Sequence, residues 1–331
     1  MPVRKQAGDV LVIEREKNKY DKNQLMYQIA RLYYEEERTQ QQISDEMGIS
    51  RQQVQRLLDN ARSEGLVQIR VINPFGSFET IEKKLESRYH LKKAIVVGSP
   101  LDDENMVRKN IGRATARYLE NILIDTNVVG LGWGYTLSEV LRYFDPDHKI
   151  SITAVPLVGG VSNVPSEYQT NEMTRRFAEK AGGIAVPFYA PAIVDHEDIA
   201  KQLLSDNNLK IVTELWKKMN VAVLSMGKAL FKGSLIPDFY HKNEYLFSAL
   251  GVTQAVGEIA FHLLRQDGTL YNSYFSKRVV GISLEQLKQT NLVIGIAGCL
   301  WKKDIITAVL RGGHIHVLVT DEHVAREIVK E

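Results

Sequence analysis

Arg51, Gln52, Gln55 and Arg56 are long polar side chains spaced i, i+1, i+4 and i+5, which puts them on one face of a helix. Arginine pairs with guanine, and glutamine with adenine, through two hydrogen bonds in the DNA major groove. Ser50 and Gln53 complete the run. Gln40, Gln41 and Gln42 upstream suit phosphate oxygens, contacts that orient a protein on a duplex without reading its sequence. A second kind of chemistry lies further along. In Gly130-Leu-Gly-Trp-Gly-Tyr-Thr136 the glycines Gly130, Gly132 and Gly134 let backbone amides face an oxyanion, with a helix start just behind. Gly159-Gly160 is a second turn of this kind. Gly298 opens a third, with Lys302 one helical turn on, a compact cation suited to phosphate. Neither a dinucleotide fingerprint nor a P-loop is present, because Tyr135 stands where the third glycine would fall and no Gly-Lys-Ser/Thr follows.

The first group needs two helices and a tight turn to present it. Thr39 caps a first helix and Gln42 completes a capping box. Ile43 and Met47 share one face, Ser44 is small enough for close approach, Gly48 suits the left-handed end of a helix, and Ser50 caps the next one. Val54, Leu57, Leu58 and Ala61 then form a buried stripe. A helix over Lys22 to Glu36, carrying Leu25, Ile29, Leu32 and Tyr33, supplies a third side. The run Leu66 to Ile72 reads as a strand, a short wing on which Arg70 faces a phosphate or plain solvent. The build is a helix-turn-helix; the bland alternative is a helical hairpin with a solvated polar face.

The second group needs a sheet. From Ala94 onward, β-branched runs alternate with amphipathic helices: strands at Ala94–Val97, Val128–Leu131, Ile152–Val158, Ile184–Tyr189, Val221–Leu224, Leu292–Ile296 and Ile315–Val319. Helices are expected at Phe78–Tyr89, Met106–Ile122, Thr136–Phe144 and Asn171–Ala181, and Asp195–Asp198 reads as a solvated helix start. This pattern predicts a mostly parallel sheet with helices on both faces, whose ligands bind at the carboxyl ends of the strands. The expected organisation is an arm over 1–21, a winged helix-turn-helix over 22–72, a linker and helix over 73–90 and a large domain over 91–331.

Composition sets outer bounds. The chain has 331 residues, 44% hydrophobic and 25% charged, enough for two domains with real cores. A net charge of +2 excludes a broadly basic nucleic-acid coat, so DNA contact must come from a local patch multiplied by self-association. The single cysteine, Cys299, fits a reducing cytoplasm. No signal peptide or apolar run of membrane length is present, and no cofactor or metal is expected.

These pieces together resemble the SorC-type bacterial transcriptional regulators over about Gln24 to Val329. The matching segments are Thr39 to Leu58, Gly130 to Thr136, Val158 to Gly160, Ala190 to Ala192, Ala255 to Ile259 with Asp267-Gly268, and Ala297-Gly298 leading to Lys302. The closing run from Ala308 through Gly313 to Leu318–Glu322 is the most specific. The resemblance implies a helix-turn-helix followed by an α/β, Rossmann-like domain related to phosphosugar isomerases. It implies control of a carbohydrate or polyol operon by a phosphorylated sugar, with operator DNA bound by a dimer or tetramer. By that resemblance Trp133 and Thr136 line the effector pocket, Gly159 and Gly160 lie opposite, Glu258 and Lys302 contact hydroxyls and phosphate, and Asn171 lies nearby. The chain departs from the pattern where Glu258 replaces a commoner aspartate, Cys299 a usual glycine and Trp301 a small polar residue. A bulkier rim there points to a smaller or differently shaped ligand.

Glu258 beside Lys302 is also the acid–base pair a phosphosugar isomerase would need. Binding alone is the better reading, because the DNA-binding segment gives binding a use. His314 and His316, alternating on a strand, share a face suited to metal, yet no third ligand stands at a metal-like spacing. Cys299 reads as a buried filler rather than a reactive thiol, and Arg175-Arg176 as a helix surface rather than a phosphate clamp.

Overall fold

A computed structural model of the chain describes residues 23–67, 78–100, 103–161, 164–228, 255–271 and 275–331. The expected arm over 1–21, most of the wing with Arg70, and the 73–77 linker lie outside these residues. The chain divides into two compact units, Met1–Gly76 and Ser77–Glu331.

In the first unit, residues 23–34 form α1, followed by α2 (Gln40–Met47) and α3 (Arg51–Ser63). The ends of α2 and α3 follow local chemistry. The Thr39 hydroxyl accepts from the Gln42 amide, and the Gln42 side chain reaches back to the Thr39 backbone, a complete capping box. Gly48 ends α2 at φ +63, a conformation that costs any residue with a Cβ about 1–2 kcal/mol. The Ser50 hydroxyl accepts from the Gln53 amide to open α3. The Ser44 hydroxyl donates to the Ile49 carbonyl at 2.6 Å and ties the turn to α2. Ile29, Leu32, Ile43, Val54, Leu57, Leu58 and Ala61 form one core. Met26 and Ala30 are buried with them, whereas Leu25 and Tyr33 pack only at the margin, so the inward face of α1 is rotated from the expected one.

The second unit is a sheet in the order β1-β9-β8-β5-β2-β3-β4, with every pairing along this path parallel. Its strands are β1 (Lys93–Val97), β2 (Val128–Leu131), β3 (Thr153–Pro156), β4 (Ile184–Ala185), β5 (Val221–Gly227), β8 (Leu292–Ile296) and β9 (Val317–Asp321). A hairpin of β6 (Gly257–Ile259) and β7 (His262–Leu264) joins the end of β5 antiparallel. Helices α4 (Glu79–Tyr89), α5 (Glu104–Ile122), α6 (Tyr135–Tyr143), α7 (Thr170–Ala181), α8 (Glu197–Ser205), α9 (Lys210–Lys217), α10 (Leu284–Gln289), α11 (Lys303–Arg311) and α12 (Glu322–Lys330) fill the connections. The β-branched strands are buried almost throughout, as in β8 and β9, the signature of a parallel sheet covered on both faces.

Several expectations shift. Helix α4, expected beside the linker, lies within the second unit. Leu85 is fully buried in the large core, and the Glu86 and Glu82 carboxylates accept the amides of Ala94 and Val96 at 2.9 and 2.8 Å, which satisfies donors along the edge strand β1. Strand β4 stops at Ala185 rather than Tyr189, because Pro187 has no N–H and the Asn171 side chain takes both backbone groups of Phe188. His314 and His316 precede β9 rather than alternating on it.

Along this sheet the chain runs outward from β2 to β3 on one side and from β5 to β8 on the other. The crevice at the carboxyl ends of β2 and β5 is therefore a topological switch point, the place where open α/β sheets bind ligands.

Candidate functional site

At the switch point the loop after β2 and the end of β5 are bonded together. The Gly132 amide donates to the Val223 carbonyl at 2.8 Å, and the Ser225 hydroxyl donates to the Trp133 carbonyl at 2.5 Å. Gly134, at φ +115, opens α6, whose first turn has no side-chain cap and so presents the positive end of the helix dipole. Trp133 and Thr136 are buried here.

The β6–β7 hairpin forms one wall. Glu258 is 5% exposed, and its carboxylate lies so close to Gly227 that a side chain there would collide with it. Burial pushes its carboxyl up to about 7, against the smaller opposing effects of a hydrogen bond from the Phe261 amide and the charge of Lys302. The two-residue turn, Ala260 at φ +49 and Phe261 at φ +65, has the signs of a type I′ hairpin turn. Neither residue is a glycine, so the turn stores on the order of 1–2 kcal/mol per residue. Its geometry aims the Phe261 N–H at the Glu258 carboxylate, 2.8 Å away, and stacks the fully buried Phe261 ring on Trp133, with centroids 5.1 Å apart and planes at 15°.

The loop after β8 forms the other wall. Asp321 holds it. One carboxylate oxygen accepts the Cys299 amide at 2.7 Å, while the other caps α12. Cys299 sits at φ +77, a conformation that glycine adopts more readily than any residue with a Cβ. Burial pushes its thiol up to about 11, which removes the reactive-thiol reading. Lys302 follows. Desolvation holds its ammonium below the usual lysine range, and Arg108 adds a smaller push in the same direction. Among the described residues its close partner is the Trp301 ring, 4.9 Å from Nζ; no carboxylate forms an ion pair with it. Trp301 donates to Glu104 at 2.8 Å. Glu104 pairs with Arg108 at 3.3 Å, and Arg108 lies over the Tyr135 ring at 5.6 Å. The crevice thus combines two cations, an uncapped helix start and a carboxyl poised between its two protonation states. Such a set can hold an anion at one end and hydroxyls at the other.

The remaining expected residues divide. The Gly159 and Gly160 amides are spent on the Val280 and Ala190 carbonyls, so this turn offers a wall and not the oxyanion amides expected of it. Asn171 is occupied with Phe188. It lines a separate cavity of about 660 Å³ with Glu167, Glu172, Arg175 and Tyr189, one that includes none of Trp133, Glu258 or Lys302. Arg175 is bridged to Glu172 and Glu179 and is no free clamp. His314 bonds the Gly268 carbonyl, and His316 accepts the Val293 amide. Ser225, Phe261, Arg108 and Asp321 carry no motif for a ligand and were not singled out from sequence. Asp321 lies inside the closing run and could have been found there.

In the first unit, Arg51, Gln52, Gln55 and Arg56 are exposed on α3, and Ser50 stands exposed at its cap. None of these four α3 side chains has a polar partner among the described residues. Arg62, by contrast, donates to the Tyr34 hydroxyl at 2.7 Å and bolts α3 to α1. Gln53 and Gln40 are partly buried. Gln41 is engaged with Asp45 and Gln42 with its capping box, which leaves Gln40 the freest of that trio. The exposed face of α3 is the long polar face a recognition helix requires.

Comparison with known proteins agrees with both halves. Residues 73–330 match the family described as "Putative sugar-binding domain", and residues 25–64 match sigma-70 region 4. The chain is 31% identical to the deoxyribonucleoside regulator of Bacillus subtilis over 94% of this chain and 99% of that one. It is 28% identical to the sorbitol operon regulator of Klebsiella pneumoniae, again over 94% and 99%. The crystal structure of that full-length regulator, SorC, superposes with a TM-score of 0.73 at 25% identity, covering 92% of this chain and 98% of that one. A helix-turn-helix with a free polar face, a parallel α/β unit with a polar crevice at its switch point, and these matches have one account: the chain belongs to the SorC-type family of sugar-binding transcriptional regulators.

Proposed function

We propose that the crevice between the ends of β2, β5 and β8 binds a phosphorylated sugar or polyol, and that this ligand controls operator binding by the helix-turn-helix. The observation that carries the reading is Lys302: a desolvated ammonium that no carboxylate meets in an ion pair among the described residues, beside Arg108 and the open start of α6. Glu258 and Glu104 favour the Lys302 charge without contacting it, and a phosphate would supply a charge in direct contact. Glu258, with its carboxyl at about 7, donates to or accepts from a hydroxyl as required. Trp133 and Thr136 line the cavity, with Gly159 and Gly160 as the far wall. The relatives named for sorbitol and for deoxyribonucleosides point to hexitol and pentose phosphates as first candidates.

Arg51, Gln52, Gln55 and Arg56 read bases, while Ser50, Gln53 and Gln40 contact the backbone. A dimer or tetramer in the cytoplasm supplies the second recognition helix that a near-neutral chain needs. The α/β unit is a relative of phosphosugar isomerases that keeps the binding site. Glu258 and Lys302 act there as a binding pair rather than as an enzyme's acid and base.

A thermal-shift titration with sorbitol 6-phosphate, 2-deoxyribose 5-phosphate, their unphosphorylated forms and inorganic phosphate tests the site, because a ligand of the folded state raises Tm by mass action. The phosphorylated forms should stabilise the protein, Lys302→Ala should abolish the shift, and the same ligand should change operator affinity in a gel-shift titration. A shift that survives Lys302→Ala would refute the assignment.

A further inference from the structure

We propose that Phe261 is a positioning residue for the sugar end of the effector site. The inference rests on the site reading above. The carrying observation is a juxtaposition. One residue in a left-handed turn (φ +65) both donates its N–H to the Glu258 carboxylate at 2.8 Å and stacks its ring against Trp133 at 5.1 Å. Phe261 is fully buried, so its role is on its neighbours. It fixes Glu258 and Trp133, the two side chains that the site reading gives to the sugar.

The turn could have been made more cheaply. Two successive positive φ angles favour Asn-Gly or Gly-Gly, and the chain places Ala260-Phe261 there instead. Backbone strain of this kind persists where the surroundings over-determine it, and it gathers at ligand clamps. A glycine at 261 would relax the turn but leave Trp133 without its stacking partner. An uncharged, rigid aromatic wall beside one oriented carboxyl suits the apolar face and a hydroxyl of a sugar carbon chain. Lys302 and Arg108 stand on other elements, the loop after β8 and α5, and no hydrogen bond or ring contact joins either to Phe261 among the described residues. The two ends of the site are therefore separable. Phe261 serves the sugar, and Lys302 serves the phosphate.

The experiment compares two probes on the full chain by calorimetric or thermal-shift titration. One probe is inorganic phosphate. The other is whichever of sorbitol 6-phosphate, 2-deoxyribose 5-phosphate and fructose 6-phosphate binds most tightly. Phe261→Leu should weaken the sugar phosphate at least tenfold and leave inorganic phosphate within about twofold. Phe261→Tyr, which keeps the stacked ring, should restore the sugar phosphate. Phe261→Met, which fills a similar volume without a ring, carries the same test should the leucine chain fold poorly. Equal weakening of both probes, or no weakening of the sugar phosphate, would overturn the proposal. Lys302→Ala distinguishes the failures. If both probes still bind that variant, the site reading falls. If both are lost there while Phe261→Leu binds normally, only the role of Phe261 falls.

Discussion

Replacing Glu258 by glutamine should stabilise the ligand-free protein, and do so only above acidic pH. In the unfolded chain this carboxyl titrates near 4.5, and in the folded protein burial raises it to about 7. Below 4.5 both states are protonated and the folded form carries no penalty. Between 4.5 and 7 the folded state holds a proton that the unfolded state has released, so stability falls as pH rises, and above 7 the loss is complete. The gap of about 2.5 pH units at 1.36 kcal/mol each gives a loss of roughly 3 kcal/mol. Because the group is buried, solvent screening does not reduce this figure. Glutamine keeps an acceptor for the Phe261 amide and never ionises. Glu258→Gln should therefore match the parent near pH 4.5 and exceed it by up to about 3 kcal/mol at pH 8.

The assay is urea unfolding at pH 5, 6, 7 and 8, followed by tryptophan fluorescence. Trp133, Trp216 and Trp301, the chain's three tryptophans, all lie in the large unit, so the signal reports this unit alone. Every other titrating group is common to both proteins, and the difference between their curves isolates Glu258. A difference that stays flat from pH 5 to 8 would show that the carboxyl is not desolvated and would remove the poised acid from the site. The same variant should bind the sugar phosphate less tightly, because an amide cannot carry the negative charge that orders a sugar hydroxyl.

Lys302→Met should likewise stabilise the ligand-free protein at pH 7. The depressed lysine is a penalty below its folded pKa that fades as pH rises toward 10.5, so the advantage should shrink in alkaline urea titrations. Its phosphate affinity should fall by roughly 3 kcal/mol, about a hundredfold, on losing one close charge pair. Arg51→Ala and Arg56→Ala should each cost operator binding about 1–3 kcal/mol in a gel shift where the side chain reads a base, or lower the salt slope by about 1 where it meets a phosphate. Neither should alter effector affinity, and loss of both functions in folded protein would refute the division of labour. Gly48→Ala meets open space around its new Cβ, so its cost is backbone alone, about 1–2 kcal/mol in the helical unit. Gly48→Asn should recover part of it in a circular-dichroism melt, and a neutral alanine would refute the left-handed turn.

The helix-turn-helix was legible because its determinants are contiguous. Thr39 with Gln42, then Gly48, then Ser50 each act within one turn of chain, and the Val54–Ala61 stripe needs only its own period. The central strands were legible because fully buried β-branched runs admit few other places. The β6–β7 hairpin was not. Its strands have three residues each, and its turn uses Ala260-Phe261, which carry none of the chemistry that marks a reversal. The same feature hid Phe261 from the candidate site. Gly159-Gly160 misled in the opposite direction. The sequence shows a glycine pair at a strand end, but only the structure shows the Val280 and Ala190 carbonyls that consume its amides. The bonds that commit the Asn171 side chain to Phe188, seventeen positions away, were hidden in the same way.

What remains in the crevice is a set of groups held in unfavourable states. Lys302 is a desolvated cation that forms no ion pair among the described residues, Glu258 a carboxyl raised to about 7, and Cys299 and Phe261 are side chains carried on left-handed backbone. A ligand that neutralises the first two recovers free energy the empty site withholds, so affinity need not come from many contacts. Recovery alone does not regulate anything. A ligand that relieves the same penalty in every arrangement of the assembly shifts no equilibrium. Control of the operator requires the loop after β8 or the β6–β7 hairpin to stand differently in the arrangement that binds DNA and the one that does not. Asp321 joins the first of these to α12, and Glu104 joins it to α5. The phosphate end of the proposed site therefore has a path into two helices, whereas the sugar end is braced against the sheet, through β5 and through Phe261 on Trp133. If the proposed sugar phosphate is the effector, this arrangement has its phosphate contact supply the switching energy and its sugar decide which phosphate is admitted.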